Sequence, residues 1–110
     1  MAIEHKYPVT NYSVTLMKKG FGWIQLKDGE KDAGYIYFTD ENGQSDRFGA
    51  VNSDHPYIVT HQPIHLWSTF LDILRNEKPL YIRGYQNDAN SEVSAFFGTS
   101  TDEPSGEGEL

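Results

Sequence analysis

Three histidines near the middle of the chain have the spacing closest to that of a metal site. His61 and His65 are four residues apart and His55 precedes them, and imidazole groups brought together are common zinc ligands. Pro63 argues against one continuous helix through the first two, and the chain has no HExxH motif and no cysteine. The histidines are better explained as loop and cap residues at the start of a helix. We therefore expect no bound metal and no other cofactor.

The acidic residues and glycines also fall short of a catalytic or nucleotide-binding pattern. Asp28, Glu30 and Asp32 belong to one polar turn, where acidic residues serve solvation and local hydrogen bonding. A catalytic carboxylate normally needs an apolar setting that shifts its pKa. The G-F-G sequence at 20–22 lacks the third glycine of a dinucleotide-binding loop, and no Walker loop or G-x-S-x-G motif is present. We expect that the protein is not an enzyme.

Basic residues interleaved with aromatic residues form the most specific pattern in the chain. One group lies on the first predicted strands, and another follows the predicted helix. Aromatic rings beside cations on a curved sheet hold single-stranded nucleic acid without reading its sequence, although the same rings would also suit a packed β-core. The candidate binding residues are Lys18, Lys19, Phe21, Trp23, Tyr35, Tyr37, Tyr81, Arg83 and Tyr85.

The net charge of −7 is placed unevenly along the chain. The last nine residues hold four acidic and no basic side chains, and the remainder has twelve acids against nine bases. A mildly acidic body disfavours nonspecific attraction to nucleic acid or anionic membranes. The chain has no N-terminal signal pattern, no cysteine and no run near the ~20 apolar residues that span a bilayer. We expect a soluble, cytoplasmic protein.

The candidate residues must be positioned by one helix and several strands. Ile64, Trp67, Leu71 and Leu74 follow the helical period and predict a helix over about 64–76 with one apolar face. Alternating or continuous apolar runs predict strands, and an Asn-Gly pair within 40–43 predicts a hairpin between the third and fourth of them. The predicted strands cover 9–17, 21–27, 33–39, 44–51, a short run 57–60, 80–85 and 92–97.

These elements predict an α+β fold with the order ββββ(β)-α-ββ. We expect a single twisted antiparallel sheet of about six strands, with the helix packed across one face. Residues 1–98 would form one domain that begins with a loose arm over residues 1–7. Residues 99–110 would form an acidic Gly/Ser/Pro tail. One helix cannot cover all the aromatic side chains, so the sheet curls toward a barrel, pairs with another copy or binds a ligand; we favour a homodimer.

Two resemblances add to this interpretation. The predicted order of four strands and a helix resembles that of small single-stranded-DNA-binding coactivators and Whirly-type proteins over about residues 9–76. The segments 70–81, FLDILRNEKPLY, and 98–109, GTSTDEPSGEGE, resemble the C-terminal half of a group of short bacterial proteins of unknown function. In that group an LRNEKPxY segment precedes an EPxGE-type end, and the resemblance implies no activity.

We therefore expect a nonenzymatic, homodimeric protein-protein interaction module that acts through its sheet face or its acidic tail. A first alternative is a single-stranded nucleic-acid-binding protein of the coactivator or Whirly-like topology. A second alternative is a small-molecule-binding protein with a pocket between the helix and a curled sheet, lined by Trp23 and Trp67.

Overall fold

The computed structural model describes residues 2–17, 20–40, 45–77, 79–88 and 91–99. Within these ranges the chain forms eight strands, one short 3₁₀ helix and one α-helix. The strands are β1 (Ile3–Pro8), β2 (Asn11–Met17), β3 (Phe21–Asp28), β4 (Lys31–Thr39), β5 (Arg47–Gly49), β6 (Tyr57–Pro63), β7 (Leu80–Gln86) and β8 (Val93–Thr99). The 3₁₀ helix spans Ile64–Leu66, and α1 spans Trp67–Asn76.

The strands form two sheets that pack face to face. The larger sheet has the order β2-β3-β4-β6-β5, and the smaller has the order β1-β7-β8. All neighbouring strands are antiparallel except β4 and β6, which are parallel. The smaller sheet and α1 together cover the inner face of the larger sheet.

At one edge the chain passes from one sheet to the other without a loop. The Val9 N–H donates to the Leu80 carbonyl at 2.8 Å, and the Thr10 N–H donates to the Lys27 carbonyl at 2.8 Å. Consecutive residues thus bond first to β7 and then to β3, so β1 and β2 form one bent strand shared by both sheets.

At the opposite edge the Asp46 carboxylate joins the two sheets. It accepts hydrogen bonds from the Thr60 hydroxyl of β6 at 2.7 Å and from the Ala95 N–H of β8 at 3.1 Å. Thr60 is buried, and a buried hydroxyl needs such a partner. With both edges joined, the two sheets form a flattened barrel.

The core lies between the inner faces of the sheets. Its fully buried members come from β3, β4, β6 and β7 and include Ile24, Leu26, Ile36, Phe38, Ile58 and Ile82. Two glycines allow the close approach of the sheets. A Cβ on Gly34 would lie 2.8 Å from the Ile82 side chain, and one on Gly84 would lie 2.5 Å from Phe48.

Helix α1 covers the part of the larger sheet that the smaller sheet leaves open. The Phe38 ring makes edge contacts with Trp67, at a centroid distance of 5.0 Å, and with Phe70 at 5.3 Å. Phe70 in turn stacks on Phe97 of β8 at 5.6 Å. The helix therefore packs its apolar stripe on both sheets rather than across a single one, and Leu74 is buried in the same core.

The α+β class and the predicted helix end at Asn76 are confirmed. The α-helix begins at Trp67 rather than near residue 64, because Pro63 is extended and the next three residues form the 3₁₀ turn. No side chain of the described residues caps either start.

The prediction of a single antiparallel sheet of about six strands is wrong. Residues 3–8 form β1 of a second sheet rather than a loose arm, because Ile3, His5 and Tyr7 turn their half-buried side chains toward the core. The predicted hairpin between β4 and β5 is also absent, because β6 lies between these strands and pairs with both. The predicted turn residues 41–43 lie outside the described residues.

None of the helices among the described residues is long and apolar enough to cross a membrane.

Candidate interaction surfaces

The outer face of the larger sheet carries a continuous group of rings that we call the aromatic face. Strand alternation turns every second side chain of β3, β4 and β6 away from the core, and six of these positions carry aromatic or imidazole rings. Neither α1 nor the smaller sheet covers this side, because both pack on the inner face. The aromatic face consists of Phe21, Trp23, Tyr35, Tyr37, Tyr57 and His61, all half-buried.

The rings of the aromatic face contact one another in an unbroken chain. Trp23 lies beside Phe21 at a centroid distance of 5.9 Å and beside Tyr37 at 6.4 Å. Tyr37 stacks on Tyr35 at 5.9 Å and on His61 at 5.4 Å, with interplanar angles of 9° and 22°. Tyr37 is thus in stacked contact with two neighbours, so a ligand meets this part of the face mainly at ring edges and polar atoms.

Polar groups border the aromatic face beside Tyr35. The Gln25 side-chain amide donates to the Asp32 carboxylate at 2.7 Å. Burial raises the pKa of the Tyr35 hydroxyl above its usual value, and the charge of Asp32 raises this pKa further. Tyr35 therefore stays a neutral hydroxyl at physiological pH and can donate or accept a hydrogen bond.

The outer face of the smaller sheet forms a second group, the cationic surface, defined by Lys6, Tyr81, Arg83, Tyr85 and Phe96. The Arg83 guanidinium lies over the Phe96 ring at 4.8 Å and near the Tyr85 ring at 5.9 Å. The Lys6 ammonium lies over the Tyr81 ring at 5.0 Å. These are cation–π distances, and they hold both charges at the surface of the sheet.

One acidic residue moderates the cationic surface. Glu4 Oε2 lies 2.6 Å from Arg83 Nε, and both side chains are about half exposed. An ion pair of this exposure contributes little stability. A depression of about 210 Å³ beside it is lined by Lys6, Tyr81, Arg83 and Phe96 and by the end of β8 at Phe97–Thr99.

The structure divides the candidate binding residues between these two surfaces. Four lie on the aromatic face, namely Phe21, Trp23, Tyr35 and Tyr37, and three lie on the cationic surface, namely Tyr81, Arg83 and Tyr85. The two surfaces face away from each other, so the seven residues do not form one site. Lys18 and Lys19 lie outside the described residues.

Sequence reasoning did not include four members of these surfaces. The sequence pattern places Lys6 in a loose arm and does not distinguish the exposed Phe96 from its half-buried neighbour Phe97. Tyr57 was treated as part of a short run, and His61 as a loop residue. Alternation within 57–63 was the available signal, because it places Tyr57 and His61 on one side of a strand.

The histidines considered as metal ligands lie in different surroundings. His55 packs against Tyr7 at a centroid distance of 4.2 Å, His61 stacks on Tyr37, and His65 is exposed in the 3₁₀ turn. Among residues 2–17, 20–40, 45–77, 79–88 and 91–99, no three His, Asp or Glu side chains converge as a metal site. The Nδ1 atom of His61 is buried without a hydrogen-bond partner in the same ranges.

The pocket that Trp23 and Trp67 were expected to share is not formed. Trp23 lies on the outer face of β3, whereas the Trp67 ring packs over Gly22 on the inner face of the same strand. A different groove, of about 960 Å³, lies between the start of β2 and the end of α1. We call it the β2–α1 groove; its lining includes Val9, Tyr12, Leu74, Arg75, Glu77 and Leu80.

Comparison of the chain with family models, curated proteins and solved structures found no match. The resemblance of residues 70–81 and 98–109 to short bacterial proteins therefore stays a prediction.

Proposed function

We propose that the protein is a nonenzymatic binding module that holds another protein on its aromatic face. The observation that carries this proposal is the unbroken contact of six rings on the side of the sheet that neither α1 nor the smaller sheet covers. Contiguous apolar surface exposed on a folded domain commonly marks an interaction site.

The residue types on this face favour a protein ligand. Tyrosine and tryptophan are enriched among the residues that dominate protein-protein binding energy, because they bury a large area and lose few rotamers. The hydroxyls of Tyr35 and Tyr37 add polar groups that a partner's backbone can satisfy.

The arrangement of the rings disfavours nucleic acid on the same face. Bases bind by stacking on free ring faces, whereas the central ring of this face, Tyr37, already stacks on both Tyr35 and His61. The net charge of −7 also opposes a polyanion. A protein segment that meets ring edges avoids both obstacles.

The experiment is a selection of displayed peptides against the immobilised full chain, followed by affinity measurements on purified variants. Trp23→Ala and Tyr37→Ala are expected to weaken the selected peptides at least ~10-fold, because a buried aromatic anchor contributes about 2 kcal/mol or more. Phe96→Ala is the matched control, since it removes an exposed ring from the other surface. Peptides that bind the three variants and the unchanged chain equally would refute the proposal.

A second candidate function is supported by the cationic surface. Lys6 and Arg83 lie over three aromatic rings on one sheet face, the combination that holds single-stranded nucleic acid through cations and stacking. Glu4 and the acidic charge of the chain oppose it. Its test is fluorescence anisotropy of a labelled single-stranded oligonucleotide. Binding should weaken with salt and with Arg83→Ala but not with Trp23→Ala.

A further inference from the structure

Strand β2 is an edge of the larger sheet that no other strand of the described residues covers. It pairs with β3 on one side, and it is the last strand of the sheet on the other. Its seven residues, NYSVTLM, include no charge and no proline. Three apolar side chains in its second half are exposed, with Val14 at 41%, Leu16 at 62% and Met17 at 51%. A long, neutral, apolar edge is the kind that pairs with another strand.

The other sheet edges among the described residues are protected in ways that β2 is not. Strand β5 has only three residues. Strand β8 has its Ala95 N–H occupied by the Asp46 carboxylate. Strand β1 carries the charges of Glu4 and Lys6 and ends in Pro8. These are the usual protections of natural edges against strand addition, so the contrast singles out β2.

The sequence of β2 is suited to pairing with itself. A two-fold axis perpendicular to the sheet makes the strands antiparallel, and an axis at the central residue, Val14, brings all seven residues of each strand into register. Side chains alternate, so Val14 then faces Val14, and Tyr12 faces Leu16 of the second copy. Aromatic–aliphatic neighbours on one face are favourable cross-strand pairs.

The β2–α1 groove lies where the exposed leucine of a second copy would arrive. Tyr12 lines this groove together with Val9, Leu74 and Leu80. In the symmetric register Leu16 of the second copy lies beside Tyr12 on the inner face, at the mouth of the groove. Each copy thereby offers an apolar side chain and a groove to receive it, and the pairing repeats identically across the axis.

We propose that β2 pairs with β2 of a second copy around Val14, giving a dimer with one ten-stranded sheet in which each Leu16 enters the groove of the other copy. Because the two-fold axis is perpendicular to the sheet, the outer faces of the two copies lie on the same side of the ten-stranded sheet. The two aromatic faces therefore become parts of one larger surface. The dimer does not depend on what that surface binds, so it stands apart from the proposed function.

The first experiment is disulfide cross-linking, and the chain has no cysteine to interfere. Antiparallel partners lie about 4.5–5.5 Å apart at Cα, within the range of about 4.4–6.8 Å that a disulfide bridges. Val14→Cys is therefore expected to form a covalent dimer under mild oxidation. Leu16→Cys is the matched control, because its symmetry mate lies roughly 14 Å away, at four residues of ~3.3 Å rise across the pair.

The second experiment uses charge at the same position and measures mass by sedimentation equilibrium. Val14→Lys and Val14→Glu are each expected to be monomers, because like charges then face each other across the axis. An equimolar mixture of the two should regain the dimer mass as a heterodimer. Val51→Lys, at an exposed loop position (63% exposed), and Trp23→Ala are expected to stay dimeric.

Any of three results would overturn the inference. The first is a monomer mass for the unchanged chain at every concentration. The second is a Leu16→Cys variant that cross-links as fast as Val14→Cys, and the third is a Val14→Lys variant that keeps the dimer mass. Circular dichroism shows whether the charged variants fold; if they do not, cross-linking decides alone. None of these readouts uses a ligand, so the dimer and the proposed function can fail separately.

Discussion

At the scale of single residues, Asp46 is the side chain that ties the two sheets together far from the bent β1–β2 strand. Its two carboxylate oxygens accept from Thr60 and from the Ala95 N–H. Nothing in the local sequence predicts that Asp46 joins the two sheets, since it lies in the polar first half of the predicted strand 44–51. The partners are 14 and 49 residues away in the chain, and only the folded arrangement brings them together.

Asp46→Ala is expected to lower the free energy of unfolding by about 1–3 kcal/mol, the usual cost of leaving a buried donor without its acceptor. Urea denaturation followed by tryptophan fluorescence measures this change. Asp46→Asn is the control: its single amide oxygen can serve one of the two donors, so it should fall between the unchanged chain and the alanine variant. A loss within about 0.5 kcal/mol for Asp46→Ala would place it among neutral surface substitutions and contradict the assigned role.

At the scale of elements, the sequence predicted those whose packing follows from their own periodicity. The apolar stripe of α1 identifies the helix and the face it buries, and the apolar run of β3 identifies that strand but not its buried face. Residues 57–60 gave a weaker signal, because Ile58 and Val59 are both buried on opposite faces of a central strand. The turn residues at 40–43 predict a hairpin of β4 and β5. They carry no information about β6, which lies between these two strands in the sheet.

The N-terminal segment shows the same limit. Ile3, His5 and Tyr7 alternate with charged residues, yet a histidine in the apolar series hides the pattern. His5 is half-buried in the folded chain, where its ring makes an edge contact with Phe48 of β5 at a centroid distance of 5.0 Å.

The candidate binding residues were identified by residue type alone. Their division between the aromatic face and the cationic surface depends on strand pairing that spans most of the chain.

Close packing between the sheets leads to a prediction at Gly34. A Cβ there would lie 2.7 Å from the Ile58 carbonyl oxygen and 2.8 Å from the Ile82 side chain. The carbonyl belongs to the paired strand and cannot rotate away, so Gly34→Ala should destabilise the protein by about 1–3 kcal/mol through overpacking. Thermal unfolding measures the loss.

Gly98→Ala is the matched control for Gly34→Ala. Gly98 also lies within a strand, but its Cβ would meet no atom within 4 Å. This variant is expected to match the unchanged chain or to be slightly more stable, because alanine restricts the unfolded chain. Equal losses at the two positions would mean that glycine flexibility, rather than close approach of the sheets, explains the effect at Gly34.

At the scale of the whole molecule, an acidic stretch of sequence directly follows the strand that borders the cationic surface. The depression beside Arg83 is lined by Gly98 and Thr99 at the end of β8. The sequence that follows Thr99 contains four acidic and no basic residues. An acidic segment tethered beside a cationic site raises the local concentration of competing charge there.

Deletion of residues 100–110 tests this competition. The net charge changes from −7 to −3, so single-stranded oligonucleotide binding at the cationic surface should strengthen at low salt. The gain should shrink at higher salt, where both attraction and competition are screened. Fluorescence anisotropy of the full and shortened chains at two salt concentrations measures it.

The decisive comparison combines the deletion with Arg83→Ala. If the acidic segment acts by competing for Arg83, then the deletion should strengthen binding in the unchanged surface and have a smaller effect once Arg83 is gone, because coupled changes are not additive. An equal gain in both backgrounds would show that the segment acts through the overall charge of the molecule instead. Absence of oligonucleotide binding in the shortened chain at low salt would remove the nucleic-acid function and leave the aromatic face as the site of binding.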